Sequence, residues 1–310
     1  MSLDVSAVQE ALREDNLDGW LLYDFHGSNP IARRVTGLNT GAKLTTRRWY
    51  YLIPSSGEPR ALVHTIERDR LNHLPGDKME YAGHDRLKSG LRSLVNGCAS
   101  VAMEFSPECA IPYVSRVDAG TVDAIRTLGV DVRSSGDLVQ RFEAVWDDAA
   151  LANHEAASTA LYTIKDQAFA MVTERIRGGA TVTEFEVQEA MSAWFKAAGL
   201  TSDSRPVVAA QENAGDPHYL PTRERHRIIG PDEVLLLDLW GKVTTPGAVY
   251  ADITWMGYTG GSVPTRYAEA FTVVRGGRDA AVELVQKAVR DGQSLEGWEV
   301  DRVARNNITN

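Results

Sequence analysis

Two aspartates stand inside strand-like segments, at positions where a core strand usually has an aliphatic residue. The segment DLWGKVTTPGAVYADITW (238–255) contains two apolar runs on either side of a turn with Gly and Pro, and each run carries one carboxylate, Asp238 or Asp252. Alternate residues of a strand share a face, which groups Leu236 with Asp238 and Thr254 with Asp252. Carboxylates crowded on a sheet cost free energy unless a cation or a proton compensates them.

The connecting turn predicts that the two carboxylates meet. A turn centred near Thr245 pairs residues whose numbers sum to 490, so Asp238 is expected directly opposite Asp252. Opposed Cβ atoms lie about 4.5–5.5 Å apart, and two ionised carboxylates that close repel by about 3 kcal/mol at an effective dielectric constant of 20. Three interpretations remain open at this point: a divalent cation, a shared proton as in an acid-protease dyad, or a register or bulge that leaves one aspartate exposed.

A histidine in the preceding loop is the third candidate site residue. The turn-rich segment QENAGDPHYLPT (211–222) comes just before the strand that carries Asp238. A lone loop histidine is more often a surface residue than a catalytic one. Its position near the end of a strand beside the carboxylates nevertheless makes His218 a candidate catalytic residue.

The pattern of elements changes near residue 145 and predicts two domains. Residues 1–145 alternate between helical and strand-like segments, as in a mixed α/β domain. No glycine-rich phosphate pattern opens any of its helices, so a nucleotide role has no support there. A long alanine-rich helix over 147–177 then opens a second domain, 150–310, and strand-rich sequence follows at 206–210, 233–241 and 248–261.

The helix over 181–199 carries two capping-box spacings at its start. Thr181 stands three residues before Glu184, and Thr183 stands three residues before Glu186. In a capping box, the hydroxyl and the carboxylate each accept a hydrogen bond from the other residue's backbone N–H. Both spacings predict a helix that begins near residue 183.

The helical segment recurs later in the chain. At a constant offset of 113 residues, 165–187 and 278–300 share seven identities in 23 ungapped positions, among them Asp166 with Asp279 and Glu186 with Glu299. The match indicates an internal duplication. The sequence ends where the second set of strands would begin, so the second domain is expected to be truncated in its second repeat.

Charge and composition exclude several classes of partner. The net charge of −9, without a dense basic cluster, argues against nucleic-acid binding. No apolar run approaches the length of a membrane span. Two cysteines, Cys98 and Cys109, are too few for a disulfide framework and predict reduced thiols in a cytoplasmic protein, which agrees with an N-terminus that lacks a signal-like apolar region.

Three motifs around these residues resemble the pita-bread metallopeptidase family. They are NAGDPHY, VLLLDLWG and VYADITW. The resemblance is to the branch of X-Pro aminopeptidases and proline dipeptidases that has a creatinase-like N-terminal domain, and it covers nearly the whole chain. It implies an α/β creatinase-like domain followed by an α+β pita-bread domain, the latter incomplete.

The resemblance also implies the roles of the candidate residues. Asp238 and Asp252 would be the terminal and bridging carboxylates of a centre with two divalent ions, manganese being expected and cobalt or zinc being alternatives. His218 would contact the substrate near the scissile carbonyl. The implied reaction is attack of a metal-bound hydroxide on the peptide bond of a substrate that contains proline.

Two departures from the family pattern affect what this chain is expected to do. Trp255 stands where many members have Arg, and the connection between the aspartates is longer than usual, which together suggest an altered substrate preference. The family's remaining ligands, one His and two Glu, belong to the strands of the second repeat. The 310-residue chain is therefore expected to bind metal weakly or not at all, and to be inactive by itself.

The resulting hypothesis is a proline-specific metallopeptidase that works as a homodimer, or with a partner chain that supplies the missing C-terminal strands. Two alternatives remain. One is a metal-free creatinase-like hydrolase that uses His218 as acid and base. The other is a non-catalytic pita-bread binding module.

Overall fold

The chain folds into two compact units in a computed structural model that describes residues 3–38 and 45–309. Unit 1 is Met1–Val145 and unit 2 is Trp146–Asn310. The outermost residues of the two predicted domains, 1–2 and 310, lie outside the described residues.

Over the described residues, unit 1 is a six-stranded sheet with helices on both faces. The strand order is β4-β3-β2-β1-β5-β6. Strand β2 runs antiparallel to β1 and β3, while all other neighbours are parallel. In chain order the elements are α1 (Val5–Glu14), β1 (Gly19–Asp24), α2 (Pro30–Val35), β2 (Trp49–Pro54), β3 (Arg60–His64), β4 (Asp77–Tyr81), α3 (His84–Leu94), β5 (Ser100–Met103), α4 (Ala119–Arg126), β6 (Asp131–Ser134) and α5 (Gly136–Val139).

The apolar runs of the central strands follow from burial on both faces. Trp20 and Leu22 of β1 pack on one side with α1 and α2, while Leu21 and Tyr23 pack on the other side with α3 and α4. Every residue of β1 and β2 is buried. Sheets covered by helices on both faces are typically built from continuous apolar segments of this kind, rather than from alternating ones.

A buried carboxylate connects three segments of unit 1. Glu104, which directly follows β5, accepts hydrogen bonds from Trp20 Nε1 at 2.7 Å, Asn29 Nδ2 at 2.6 Å and the Ser135 hydroxyl at 3.2 Å. Burial raises the pKa of Glu104, although these donors act in the opposite direction. The network holds the start of α2 and the segment after β6 against the central strands.

Unit 2 combines long helices with an antiparallel sheet. Its elements are α6 (Asp148–Arg177), α7 (Glu184–Ala197), β7 (Leu200–Thr201), β8 (Val207–Ala210), β9 (Val234–Val243), β10 (Ala251–Tyr258), α8 (Thr265–Asp291) and α9 (Gly297–Thr309). Strand β9 is central, because β10 pairs with one of its edges and β7 and β8 pair with the other.

One face of this sheet is covered by helices. Leu235, Leu237 and Leu239 of β9 are buried in a core shared with α6 and α7, whereas the residues between them are only half-buried. The segment VLLLDLWG is therefore apolar over most of its length but alternates in burial with the period of a strand. This alternation leaves Asp238 on the less covered face.

The predicted repeat coincides with two helix pairs. Helix α9 begins 113 residues after α7 begins, the offset found in the sequence. The pair α6–α7 packs on the sheet, whereas α8 and α9 pack on each other, with Gly277 against Ile308. Several large apolar side chains of α8 and α9 are exposed: Phe271, Val274, Val285, Val289 and Trp298.

The cysteines and the helices bear on two further predictions. Cys98 and Cys109 are free thiols, as predicted, and burial raises the pKa of Cys98. None of the helices in the described ranges 3–38 and 45–309 has the length and apolar character needed to cross a membrane.

Two glycines of unit 1 allow a steric test of the fold. Both have left-handed backbone, with φ of 97° at Gly76 and 86° at Gly57. A Cβ atom at Gly76 would lie 2.0 Å from the Pro59 carbonyl oxygen, while one at Gly57 would meet nothing within 4 Å. We expect Gly76→Ala to lower the free energy of unfolding by about 1–3 kcal/mol more than Gly57→Ala does. Urea denaturation would measure both, and equal losses would contradict the close approach at Gly76.

Candidate functional site

The less covered face of β9 and β10 carries both predicted aspartates. Asp238 is half-buried and Asp252 is exposed. The strands pair with Thr254 opposite Asp238 and with Trp240 opposite Asp252. The prediction that the two aspartates share a face is confirmed, but the prediction that they are directly opposed is wrong.

The difference comes from the connection between the strands. Within it, the Ala248 N–H donates to the Thr245 carbonyl at 3.1 Å, and Gly247 has φ of 80°. The centre of the strand pairing consequently lies one residue later in the chain than the predicted centre, Thr245. Because side chains alternate along a strand, this shift keeps both aspartates on one face and makes them diagonal neighbours. Diagonal positions are about 7–8 Å apart.

The diagonal arrangement weakens the repulsion without removing it. Two unit charges about 7 Å apart repel by about 2 kcal/mol at a dielectric constant of 20 and by about 0.6 kcal/mol in bulk water. Partial loss of hydration on the sheet surface raises the pKa of the Asp252 carboxyl, and the charge of Asp238 raises it further. Asp238 accepts a hydrogen bond from Thr254 Oγ1 at 2.8 Å. This bond orients one carboxylate but adds no positive charge.

Lys242, a cationic residue on the same face of β9 as Asp238, is directed at an aromatic ring. Its Nζ lies 4.8 Å from the centre of the Tyr250 ring. No cluster of three or more His, Cys, Asp or Glu side chains suited to a metal occurs within the described ranges. The face therefore offers a cation two carboxylates, and the described residues supply no third ligand of these types beside them.

Part of the surface around the carboxylates is apolar. Strand β8 places Val207 opposite Asp238. Trp240 stands beside Asp252 across the strands, and its indole Nε1 donates to Asp203 at 2.7 Å. Such a surface can bind a hard cation through the carboxylates while it contacts an apolar part of a ligand.

His218 lies in the loop that follows β8, the strand beside β9. The loop follows β8, whose last residue, Ala210, pairs with Leu235 of β9. His218 is exposed, and its backbone N–H donates to Asp216 Oδ1 at 3.0 Å. Within the described part of the chain, no hydrogen bond or ion pair joins the imidazole to either aspartate. The catalytic role of His218 stays a prediction.

Sequence reasoning missed a buried carboxylate that organises this loop. Glu184, at the start of α7, is fully buried. Its carboxylate accepts hydrogen bonds from the Ala210 N–H at 2.6 Å, the Arg227 N–H at 2.7 Å, the Tyr219 hydroxyl at 2.5 Å and Asn213 Nδ2 at 3.0 Å. One side chain thus holds both ends and the middle of the segment that carries His218.

The inward position of Glu184 corrects one of the two capping-box predictions. The box forms between Thr183 and Glu186, with Glu186 N–H donating to Thr183 Oγ1 at 3.2 Å and Thr183 N–H donating to Glu186 Oε2 at 2.9 Å. The spacing of Thr181 and Glu184 forms no box. A signal for the inward position was present, because Glu184 precedes Val187 and Met191 on the buried stripe of α7.

Trp255 lies on the opposite face of β10 from the aspartates. Lys165 Nζ of α6 is 4.2 Å from the centre of the Trp255 ring, and the Tyr162 ring packs edge-on at 5.8 Å. The departure from the family pattern at this position therefore changes the contact between the sheet and α6. It does not place the indole beside the carboxylates.

The second unit identifies the family. Residues 157–310 match the model of metallopeptidase family M24, and this segment contains both aspartates, His218 and Glu184. The chain belongs to this family, the pita-bread metallopeptidases, and is classed with it as a hydrolase.

Solved structures show the same fold along nearly the whole chain. Dipeptidase PepE from Mycobacterium ulcerans has a TM-score of 0.61 and 19% identity over 90% of this chain and 69% of that chain. A prolidase from Pyrococcus horikoshii OT3 has a TM-score of 0.55 and 18% identity over 98% and 77% of the two chains. An X-prolyl aminopeptidase from Caenorhabditis elegans has a TM-score of 0.57 and 15% identity over 99% and 50%.

These likenesses confirm the predicted fold class, a creatinase-like α/β domain followed by an α+β pita-bread domain. Comparison with the curated proteins gives no match.

We expect Glu184→Gln to destabilise unit 2 strongly. An amide has one acceptor oxygen and presents its NH₂ group to donors, so buried N–H or O–H groups would lose their acceptor at a cost of about 1–3 kcal/mol each. Glu186→Gln is the matched control on the same helix, because Gln also forms capping boxes. Urea denaturation would measure both variants. Equal, small losses would show that the Glu184 network does not hold the loop.

We expect Asp252→Asn to change how stability depends on pH. The folded pKa of Asp252 lies above its unfolded value, about 3.9, so the folded state binds more protons between the two values. In the wild type, this group lowers the free energy of unfolding as pH rises through that interval, and the loss persists at neutral pH. The variant should therefore gain stability relative to the wild type from pH 3 to pH 7. Denaturation in a chelator would measure this gain, and a pH-independent difference would contradict it.

Proposed function

We propose that this chain binds divalent cations through Asp238 and Asp252 and acts in the hydrolysis of peptide bonds next to proline. The observation that carries the proposal is the pair of aspartates on one face of β9 and β10, with Lys242 on that face directed at the Tyr250 ring. Carboxylate oxygens on rigid strands suit hard divalent cations.

The register favours a cation over a shared proton. Two carboxyl groups that share a proton need oxygen atoms about 2.5–2.7 Å apart. Direct opposition across the strands would favour that contact, whereas the observed diagonal position does not. One oxygen of Asp238 is also already engaged by the Thr254 hydroxyl.

Two carboxylates supply only part of a coordination shell. Sites that hold cations with few charged ligands have dissociation constants on the order of 10⁻⁴–10⁻³ M, and we expect this range for the isolated chain. Water, substrate or a further protein group would complete the shell. Full peptidase activity would depend on that completion.

When bound, the cations would supply a hydroxide nucleophile and polarise the scissile carbonyl. The side chains of this chain would orient the carboxylates and the substrate. Thr254 orients Asp238, and Glu184 holds the loop from which His218 would donate a hydrogen bond to the substrate carbonyl. The apolar residues around the carboxylates, including Val207, would contact the proline ring.

Two structural neighbours support the finer parts of the proposal. One is a prolidase, and the other is a cytosolic X-prolyl aminopeptidase with a di-nuclear active site. We propose the same for this chain: a substrate that contains proline, two bound cations and a cytoplasmic location. Manganese is the first choice of cation, and cobalt and zinc are the alternatives. The exposed apolar side chains of α8 and α9 support a homodimer or a partner chain.

Titration with Mn²⁺ would test the cation site. Calorimetry should give a dissociation constant on the order of 10⁻⁴–10⁻³ M for the wild type and at least about tenfold weaker binding for Asp252→Asn or Asp238→Asn. Asp131→Asn removes an exposed carboxylate from unit 1 and is the matched control. Unchanged affinity in the two site variants would overturn the metal assignment.

Release of the N-terminal residue from X-Pro peptides would test the reaction. With Mn²⁺, His218→Gln should lower turnover by about 10²–10³-fold and leave Mn²⁺ affinity unchanged. Hydrolysis that persists in a chelator and still requires His218 would identify a metal-free hydrolase. Metal binding without hydrolysis, at saturating Mn²⁺ and with a segment supplied that completes the coordination shell, would identify a non-catalytic binding module.

A further inference from the structure

Unit 1 contains a cavity of its own, at the edge of the sheet where the parallel strands end. Its volume is about 550 Å³. Tyr23 lies near the end of β1, and His64 and Tyr81 are the last residues of β3 and β4. In open sheets with parallel strands, ligands typically bind outside the carboxyl ends of the strands. The fold therefore puts this cavity where such a sheet usually holds a ligand.

The antiparallel strand β2 brings positive charge to the same edge. Because β2 runs opposite to its neighbours, the residues that precede it, Arg47 and Arg48, line the cavity together with His64 and His84. Among the described residues, Arg47 Nη1 donates only to the neighbouring Thr46 carbonyl at 3.3 Å, and Arg48 forms no ion pair there. Burial raises the pKa of Tyr23 to about 12, and the charge of Arg48, which lines the same cavity, acts against this rise.

The carboxylate that lines the cavity is already engaged. Asp118 is the N-cap of α4 and accepts hydrogen bonds from the Thr121 N–H at 2.9 Å and the Thr121 hydroxyl at 2.7 Å. The Tyr23 hydroxyl donates to it at 3.2 Å. The hydrogen-bond partners of Asp118 are therefore uncharged groups of nearby residues. Arg47 and Arg48 remain available to an external anion.

Two further groups add donors. His64 Nδ1 accepts the Ile66 N–H at 3.1 Å, so the ring hydrogen lies on Nε2 and the neutral ring can still donate there. Helix α3 begins at the cavity, with Gly83 as an N-cap that offers no side-chain acceptor to the first-turn N–H groups. A Cβ atom at Gly83 would meet nothing within 4 Å, which shows that the space before the helix is open. Helix N-termini favour bound anions.

We propose that this cavity binds a small organic anion, a phosphate or carboxylate group on a compact apolar body. Arg47, Arg48, His64 Nε2 and the start of α3 would face the anionic group. Phe25 and Leu87, which also line the cavity, would contact the apolar body. The site belongs to unit 1 and is independent of the function proposed for unit 2.

Calorimetry on the full chain would test the proposal with four probes: phenyl phosphate, benzoate, inorganic phosphate and benzyl alcohol. We expect the aromatic anions to bind more tightly than inorganic phosphate, and benzyl alcohol not to bind. The stronger of phenyl phosphate and benzoate would identify the anionic group. Failure of both to bind, or equal binding of benzyl alcohol, would overturn the proposal.

Variants would locate the site. Arg48→Gln should weaken binding of the preferred anion by about tenfold or more. Arg92→Gln is the matched control, because it removes the same charge from the exposed last turn of α3. Equal weakening by both variants would show a general charge effect and contradict a defined site.

His84→Asp separates binding from folding. A carboxylate at the first position of α3 interacts favourably with the helix dipole, so thermal stability should be kept or raised. The same carboxylate would repel a ligand anion, and binding should be lost. Retained anion affinity in this folded variant would exclude the start of α3 from the site.

Discussion

The pairing of β9 with β10 is the constraint on which the candidate site depends. It sets two like charges on one face of a sheet whose other face is buried against α6 and α7. A shift of one residue in either strand would turn one carboxylate toward the helices, where its ionised form would be far more costly. The burial of Leu235, Leu237 and Leu239 opposes any such shift, so the apolar core determines where the charges lie.

The loop that carries His218 is held mainly by hydrogen bonds to a buried side chain. Most of its residues are exposed, and the buried carboxylate of Glu184 provides an acceptor for N–H and O–H donors from several points along its length. Buried polar networks of this kind stabilise one conformation only when their members are satisfied together. The sheet therefore positions the aspartates through apolar packing, and the loop is positioned through hydrogen bonds to one side chain.

Unit 1 shows how a single antiparallel strand changes the chemistry of an otherwise parallel sheet. Parallel strands place their carboxyl ends and the following helix N-termini at one edge. The reversed β2 adds the residues that precede a strand, and in this chain those residues are Arg47 and Arg48. Positive side chains and a helix N-terminus thus meet around one cavity although no glycine-rich phosphate loop is present in the sequence.

The sequence by itself determined the elements and the faces. Apolar periodicity located α6, β9 and β10, the offset of 113 residues located the second helix pair, and the alternation of a strand placed Asp238 and Asp252 on one side. These features follow from local spacing, which the order of residues records directly. Tertiary structure alone decided that the aspartates are diagonal, that Trp255 faces α6, that Glu184 turns inward and that Arg48 reaches the cavity of unit 1. Each of these depends on how a connection closes or on which distant segments supply hydrogen-bond partners, and neither is set by the spacing of residues along the chain.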